Sequence, residues 1–259
     1  MSDHIKVAQD GAVMRVGFNR PEKKNAITSD MYAALADALG AAESDSGVRA
    51  VLFEAEGDMF TSGNDIADFM SGGATLGDPH NTPPVMRFLI ALASAEKPLL
   101  AAVQGGAVGV GVTMLLHCDL VFASDKATFH TPFVDLALVP EAASSLLLPR
   151  IAGHQQAAEM LLAGRKINAA RGREFGFVNE VVSPDALAET AMAAARDIAA
   201  KAPTAVRLTK QLMKPDREAI IAHMQKEGVH FAAQLESAEF REAGMAFMQK
   251  RKSDFSKAG

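Results

Sequence analysis

Hydrophobic and polar residues alternate near the start of the chain, and largely apolar segments follow in the rest of its first half. Residues 5–19 alternate around Asp10-Gly11, which is typical of a β-hairpin. The largely apolar segment Val48–Glu54 and the unbroken apolar run Leu99–Val103 predict buried strands. The first half therefore predicts a sheet interleaved with helices.

Apolar residues also recur at the spacing of a helix face. Thr28 or Ser29 can cap a helix that runs to about Ser44, and the last third of the chain is helical in pattern throughout. We therefore expect an α/β core over residues 1–200 and a C-terminal helical region over 201–259. Because such a region cannot easily bury its apolar faces on itself, it is a candidate for oligomerisation.

Glycines are concentrated at Gly105–Gly111, between the strand Leu99–Val103 and an apolar helix. The first N–H groups of a helix lack internal partners, and glycines allow a ligand to approach them, so an anion or oxyanion site is one interpretation. Close packing of helix on strand explains the glycines equally well. Val112-Thr113 after Gly111 completes neither a Walker loop nor a dinucleotide fingerprint, so we expect no nucleotide phosphate here.

Composition narrows the function classes. A net charge of -5, the absence of Trp and a single Tyr argue against a nucleic-acid or anionic-membrane surface. The single cysteine, Cys118, cannot form an internal disulfide, and it reads as an inert core thiol in a reducing compartment. No apolar run reaches the length of a membrane span, and the N-terminus has no signal core, so we expect a cytoplasmic protein without membrane partners.

The order and spacing of four motifs resemble the crotonase (enoyl-CoA hydratase/isomerase) superfamily over nearly the whole chain. The motifs are Asn19-Arg20-Pro21 with Asn25-Ala26, Phe60–Ile66, Lys97 with Gly105–Gly111, and Gly176–Val182. This resemblance implies a spiral of ββα units with a C-terminal helical trimerisation region, assembled as a homotrimer or a dimer of trimers. It also implies an acyl-CoA thioester substrate whose carbonyl becomes an enolate. CoA is then part of the substrate, and no separate cofactor is expected.

The resemblance also implies where the substrate binds. The enolate oxygen would be held by the backbone N–H groups of Asn64 and Val110. The implied substrate-binding residues are Lys24, Ala26, Asn64, Asp65, Ile66, Ala67, Gly109, Thr113 and Phe133. Two of these keep simpler interpretations, since Lys24 can be a solvated charge in a turn and Asp65 a helix cap.

The motifs argue against hydration and favour isomerisation. The hydratases of the superfamily use two glutamates, and the corresponding positions here are Thr113 and Phe133. Neither can activate water by acid–base chemistry, so we expect little hydration. Residues Pro140–Ser145 are similar to the Pro-Glu-x-x-Ser-Ser signature of peroxisomal-type Δ3-Δ2-enoyl-CoA isomerases, which makes Glu141 the candidate single base. Dienoyl-CoA isomerases need a second carboxylate eight residues earlier, where Phe133 stands. Glu141 could instead be a carboxylate in the first turn of a helix that follows Pro140.

Other interpretations stay open. Another crotonase-type reaction, such as hydration or thioester hydrolysis, could use Asp135 or an ordered water, with Asp135 on the side of Phe133 if this segment is a strand. A member that only binds acyl-CoA would need no base. His130 is expected to be a core or pocket-wall histidine and not a metal ligand. Residues Ser71–Pro84 and Met86–Ile90 are expected to shape the acyl pocket.

Overall fold

The computed structural model describes residues 2–65, 68, 82–214, 216–249 and 251–257. Ten β-strands lie within these residues. In chain order these strands are β1 (Ile5–Asp10), β2 (Val13–Phe18), β3 (Ala50–Ala55), β4 (Met59–Thr61), β5 (Leu99–Val103), β6 (Gly106–Val108), β7 (Leu120–Ser124), β8 (Thr128–His130), β9 (Ile167–Asn168) and β10 (Glu180–Val182).

Helices cover the strands and form most of the last third of the chain. In chain order the described α-helices are α1 (Ser29–Ser44), α2 (Pro84–Ser94), α3 (Val110–Thr113), α4 (Ser144–Ala152), α5 (His154–Leu161), α6 (Ala169–Phe175), α7 (Pro184–Ala199), α8 (Pro203–Met213), α9 (Arg217–Leu235) and α10 (Ala238–Met248). Short 3-10 segments occur at Pro21–Lys23, Met114–His117, Val134–Leu136 and Phe255–Lys257.

The strands form two sheets, and both are mainly parallel. One has the order β1-β2-β3-β5-β7-β10, with only the β1-β2 hairpin antiparallel. The other has the order β4-β6-β8-β9, with β8-β9 antiparallel. The predicted hairpin is confirmed, because Asp10 pairs with Val13 around Gly11, which has a φ of +58° that glycine adopts without strain.

The apolar character of β3 and β5 is explained by burial on both faces of the larger sheet. In β3, Ala50 and Leu52 belong to an apolar cluster with α7, whereas Val51 and Phe53 belong to the main core cluster. Alternate residues of β5 divide between the same two clusters. A strand that is covered on both faces has no position where a polar side chain reaches water, so its sequence cannot alternate.

A local signal placed the start of the first helix correctly, and a second helix begins where a proline suits the first turn. Helix α1 begins after Thr28, whose hydroxyl accepts the N–H of Met31, as the capping prediction requires. Helix α8 begins at Pro203, where the missing N–H costs nothing. The glycine stretch was predicted as a turn, but it contains the short strand β6, which is held by its neighbours β4 and β8.

The C-terminal helices are tied to the sheet by buried charge. Lys210 of α8 is 7% exposed, and its ammonium donates to the carbonyl of Lys97 and, at 2.7 Å, to the carboxylate of Asp119. Asp119 in turn accepts the N–H of Leu99 at the start of β5. Burial lowers the pKa of Lys210, and the adjacent Asp119 carboxylate opposes that change. This pairing fixes α8 to the start of the central strand.

Candidate active site

Two glycine turns meet at the ends of neighbouring strands. Strands β4 and β6 are parallel and paired, and Gly63-Asn64 follows the first while Gly109-Val110 follows the second. Gly63 has a φ of +89°, and a Cβ on it would lie only 3.0 Å from the carbonyl oxygen of Val108. A larger residue would therefore push the two turns apart. The close approach of these two backbones is the structural requirement for Gly63, whereas Gly109 has open space around it and is required for its φ of +56°.

Two backbone N–H groups in these turns are available to a ligand. Within the described part of the chain, the N–H groups of Asn64 and Val110 donate to no protein acceptor. The amide before Val110 and the amide after Asn64 are occupied, since Gly109 donates to the carbonyl of His130 at 2.9 Å and Asp65 donates to that of Ile27. Two unoccupied N–H groups on adjacent turns can stabilise an oxyanion that develops between them.

Tyr32 of α1, which the sequence analysis did not single out, holds the first of these turns. Its hydroxyl donates to the side-chain oxygen of Asn64 at 2.5 Å. Tyr32 is 4% exposed, and its pKa is raised well above the usual value, first by burial and then by the charge of Glu141. Tyr32 thus lies near both the Asn64 turn and Glu141. In the sequence it is one more apolar-face residue of a helix, so no local signal marks it.

Glu141 is held at the second turn by Thr113. The Thr113 hydroxyl, three residues after Val110 on α3, donates to the Glu141 carboxylate at 2.5 Å. The pKa of Glu141 is raised to about 7, because burial disfavours the charged form and Glu227 adds a repulsive charge, while the Thr113 hydrogen bond acts in the opposite direction. A carboxyl group that titrates near neutral pH can both remove and return a proton there.

The segment that carries Glu141 is a turn and not the first turn of a helix, so the alternative interpretation of this residue is wrong. Helix α4 begins at Ser144, and both Ala142 and Ala143 have left-handed backbones, with φ of +59° and +57°. His117 holds one side of the turn by donating from Nε2 to the Ala142 carbonyl at 2.8 Å. Burial lowers the pKa of His117 to about 4, so the ring is neutral and its proton lies on Nε2.

The other side of the turn is held from α9. Glu227, 6% exposed, accepts the N–H of Ala143 at 2.6 Å and both the N–H and the hydroxyl of Ser145, at 3.0 and 2.5 Å. No local sequence pattern indicates this contact, because 84 residues separate Ala143 from Glu227.

The remaining predicted binding residues extend from the Asn64 turn. Asp65 pairs with Arg20 at 2.7 Å, and Arg20 also donates to the carbonyl of Ala26 at 3.0 Å. The carbonyl of Lys24 accepts the N–H of Ser62, and the Lys24 side chain is exposed. The capping interpretation of Asp65 has support, since its carboxylate accepts the N–H of Asp68 at 3.2 Å.

Several predictions fall outside the described residues. Ile66 and Ala67 are two of them, and most of the expected acyl-pocket loop, residues 71–81, is another.

Phe133 and Asp135 do not lie on a strand. The segment Val134–Leu136 is a 3-10 turn, so the expectation that both side chains share one strand face is wrong. Phe133 is 6% exposed and belongs to the main core cluster. The side chain of Asp135 is 60% exposed and lies 4.0 Å from Nε2 of His130. His130 also bonds the carbonyl of Gly164 at 3.0 Å, as a wall histidine would.

Other kinds of site find no support in the described residues. They contain no group of three His, Cys, Asp or Glu side chains placed to hold a metal ion. Among the helices of these residues, none has the length and apolar character needed to cross a membrane. Burial raises the pKa of the Cys118 thiol to about 12, which makes it a poor nucleophile at neutral pH.

Known proteins resemble this chain over most of its length. The sequence profile of the Enoyl-CoA hydratase/isomerase family matches residues 8–258. Enoyl-CoA delta isomerase 2 of Rattus norvegicus is 37% identical over 96% of this chain, which spans 64% of that protein's length. The 1,2-epoxyphenylacetyl-CoA isomerase of Escherichia coli strain K12 is 32% identical, with 98% of this chain and 99% of that protein covered.

A solved structure agrees with these sequence matches. The enoyl-CoA hydratase/isomerase from Pseudoalteromonas atlantica T6c superimposes with a TM-score of 0.92 at 44% identity, covering 98% of this chain and 100% of that one. This similarity confirms the predicted crotonase fold. Because sequence and structure agree over nearly the full length, the chain belongs to the enoyl-CoA hydratase/isomerase family of the crotonase superfamily.

Proposed function

We propose that this protein is an acyl-CoA double-bond isomerase that converts 3-enoyl-CoA to 2-enoyl-CoA, with Glu141 as its single acid–base group. One observation carries the proposal: the Thr113 hydroxyl binds the Glu141 carboxylate at 2.5 Å, one turn after the unoccupied N–H of Val110. A carboxyl group with a pKa of about 7 is thus bound by the short helix that begins at Val110, one of the two candidate oxyanion donors.

The reaction needs one base and one oxyanion site. In a 3-enoyl thioester the C2 proton is acidified by both the carbonyl and the alkene, and ionised Glu141 removes it. The electron pair passes to the thioester oxygen, where the N–H groups of Asn64 and Val110 stabilise the dienolate. Each such donor lowers the barrier by about 3 kcal/mol. Protonated Glu141 then returns the proton at C4, and the double bond lies between C2 and C3. CoA enters as part of the substrate, and these steps use no further cofactor.

The surroundings of Glu141 favour isomerisation over hydration. Hydration requires a further group that activates water. The two positions that hold glutamates in the hydratases of the superfamily hold Thr113 and Phe133 in this chain. Glu227 is the other carboxylate whose charge acts on Glu141. Its oxygens already accept hydrogen bonds from Ala143 and Ser145, so they are not free to activate a water molecule.

The test compares double-bond migration with hydration. Purified wild type, Glu141→Gln and Asp135→Asn would be assayed with a 3-enoyl-CoA for formation of the conjugated thioester and with a 2-enoyl-CoA for loss of it. We expect fast migration and little hydration in the wild type. Glu141→Gln should lower kcat for migration about 100- to 10,000-fold, since no group then accepts the C2 proton. Asp135→Asn is the matched control and should retain wild-type activity, because its carboxylate is exposed.

Either of two results would reject this proposal. Double-bond migration that survives in Glu141→Gln would show that Glu141 is not the base. Hydration that exceeds migration in the wild type, and that falls in Asp135→Asn, would favour the alternative reaction.

A further inference from the structure

The turn that presents Glu141 is conformationally unfavourable by itself. Ala142 and Ala143 both have left-handed backbones, which non-glycine residues rarely adopt and which surrounding contacts must stabilise. Two adjacent residues of this kind mean that the position of the Glu141 carboxyl is not secured by local preference. The contacts that hold the turn therefore determine whether the carboxyl faces Thr113.

Glu227 supplies the principal contacts on one side of this turn. Helix α4 has no capping side chain of its own, since its N-cap residue is Ala143. The buried Glu227 carboxylate takes that place from α9, accepting the N–H groups of Ala143 and Ser145 and the hydroxyl of Ser145. A carboxylate is well suited to the start of a helix, where N–H groups point outward and the helix dipole is positive.

We propose that Glu227 is a positioning residue for the candidate base: from α9 it fixes the left-handed turn that presents the Glu141 carboxyl to Thr113 and the oxyanion donors. This inference rests on the proposed role of Glu141. It adds to that role a residue from the C-terminal helical region, which does not itself touch the reacting atoms.

The charge of Glu227 gives the arrangement a second effect. It raises the pKa of Glu141, in addition to the larger effect of burial. Other titratable groups also face this cluster. Tyr32 of α1 is one of them, and its pKa is raised in part by the charge of Glu141. The others are His117, which binds the Ala142 carbonyl, and His223, whose Nε2 lies 3.6 Å from the Glu227 carboxylate. Removing the Glu227 charge should therefore make Glu141 ionise at lower pH.

The main test is Glu227→Gln in the full-length protein, with Glu218→Gln as the matched control on an exposed position of the same helix. Glutamine has nearly the same shape, but its NH₂ group donates, so the turn loses an acceptor as well as a charge. We expect kcat for migration to fall 10- to 100-fold while KM changes less than threefold. The acid limb of the kcat–pH profile should move to lower pH. Glu218→Gln should leave kcat, KM and the profile unchanged.

Two further measurements keep the test decisive. Ser145→Ala removes the hydroxyl that donates to Glu227 and also contacts Nε2 of His223 at 2.8 Å. It should fold if Glu227→Gln does not, and it should lower kcat two- to fivefold at constant KM. An infrared titration of the protonated carboxyl band that disappears in Glu141→Gln reports ionisation without turnover, and its midpoint should be lower in Glu227→Gln.

The outcomes separate this inference from the proposed function. Loss of activity in Glu141→Gln combined with wild-type kcat and an unshifted titration in Glu227→Gln would overturn the positioning role alone. A uniform loss of activity with an unchanged pH profile would also overturn it, because it would reduce Glu227 to a structural residue. If Glu227→Gln does not fold, a wild-type kcat in Ser145→Ala would likewise overturn the positioning role of Glu227. Activity that survives in Glu141→Gln would instead reject the proposed base.

Discussion

The hydrogen bond between Thr113 and Glu141 sets a quantitative expectation for Thr113→Val, which removes the hydroxyl at nearly constant volume. In the wild type the hydroxyl stabilises the ionised carboxyl at 2.5 Å and lowers its pKa. A hydrogen bond to a charged group contributes about 1.5–3 kcal/mol, and one between neutral groups about 0.5–1.5 kcal/mol. The difference of about 1–1.5 kcal/mol corresponds to a displacement of the acid limb by about one pH unit, toward higher pH.

This displacement predicts a loss of turnover that depends on pH. About half of the wild-type Glu141 is ionised at pH 7, because its pKa is about 7. In Thr113→Val the ionised fraction there falls to about one tenth, so kcat for migration should be about fivefold lower. At pH 9 both carboxyl groups are ionised for the most part, and the two enzymes should differ by only about 10%.

The assay is a kcat–pH profile of 3-enoyl-CoA isomerisation between pH 5.5 and 9.5, a range chosen to span the pKa of Glu141. Thr131→Val is the control, since its buried hydroxyl donates to the carbonyl of Met160 at 3.0 Å and not to Glu141. It should lower stability without moving the profile. A loss of activity in Thr113→Val that is equal at all pH values would refute the reasoning, because it would mean that the hydroxyl does not act on the ionisation of Glu141.

Two other predictions concern stability and ionisation. Burial raises the pKa of Glu141 from 4.5 to about 7. Burial of this carboxyl therefore costs the folded wild type no stability below about pH 4.5, where it is protonated, and the free energy of unfolding falls as the pH rises through 7. Denaturant unfolding should therefore show Glu141→Gln gaining about 3 kcal/mol over the wild type between pH 4 and 8, and a constant difference would contradict the raised pKa. Tyr32 is the only tyrosine, and its pKa is raised by burial and then by Glu141. An ultraviolet titration should show no phenolate at about pH 10.5 until the protein unfolds, and a reversible phenolate signal from folded protein would show that the Tyr32 hydroxyl is accessible.

Elements with a local signal could be predicted from the sequence. The hairpin follows from alternation around Asp10-Gly11, and the start of α1 follows from Thr28. The central strand β5 was predicted with its observed bounds, because a short, wholly apolar run that follows Pro98 is typical of a buried strand. The family motifs added the two glycine turns, which follow the paired strands β4 and β6.

Features that depend on distant contacts could not be predicted. Pro140-Glu141 has the pattern of a helix start, but the left-handed backbones of Ala142 and Ala143 delay the helix to Ser144. Ala142 is held by His117 and Ala143 by Glu227, and Glu227 looks in the sequence like an ordinary surface residue of an amphipathic helix. Strand β6 has only three residues, and its identity comes from pairing with β4 and β8.

The site residues divide in the same way. Asn64, Val110, Thr113 and Glu141 could be named from motifs, and the structure places these four near one another through direct contacts or neighbouring elements. Tyr32 could not, because its neighbours in α1 are apolar and its polar partner is 32 residues away.

The link between Glu227 and the Glu141 turn also has a consequence for the order in which the protein is made. A ribosome releases both glycine turns and Glu141 well before α9, since Ala143 and Glu227 are 84 residues apart. Domains can begin to fold from their N-terminal part during synthesis, so the strands of both sheets can pair while the turn still lacks its acceptor. A nascent chain could then pair its strands before the Glu141 turn is held in place. A chain released before α9 would lack the Glu227 acceptor of this turn and also Ile220, Met224 and Phe231 of the main core cluster.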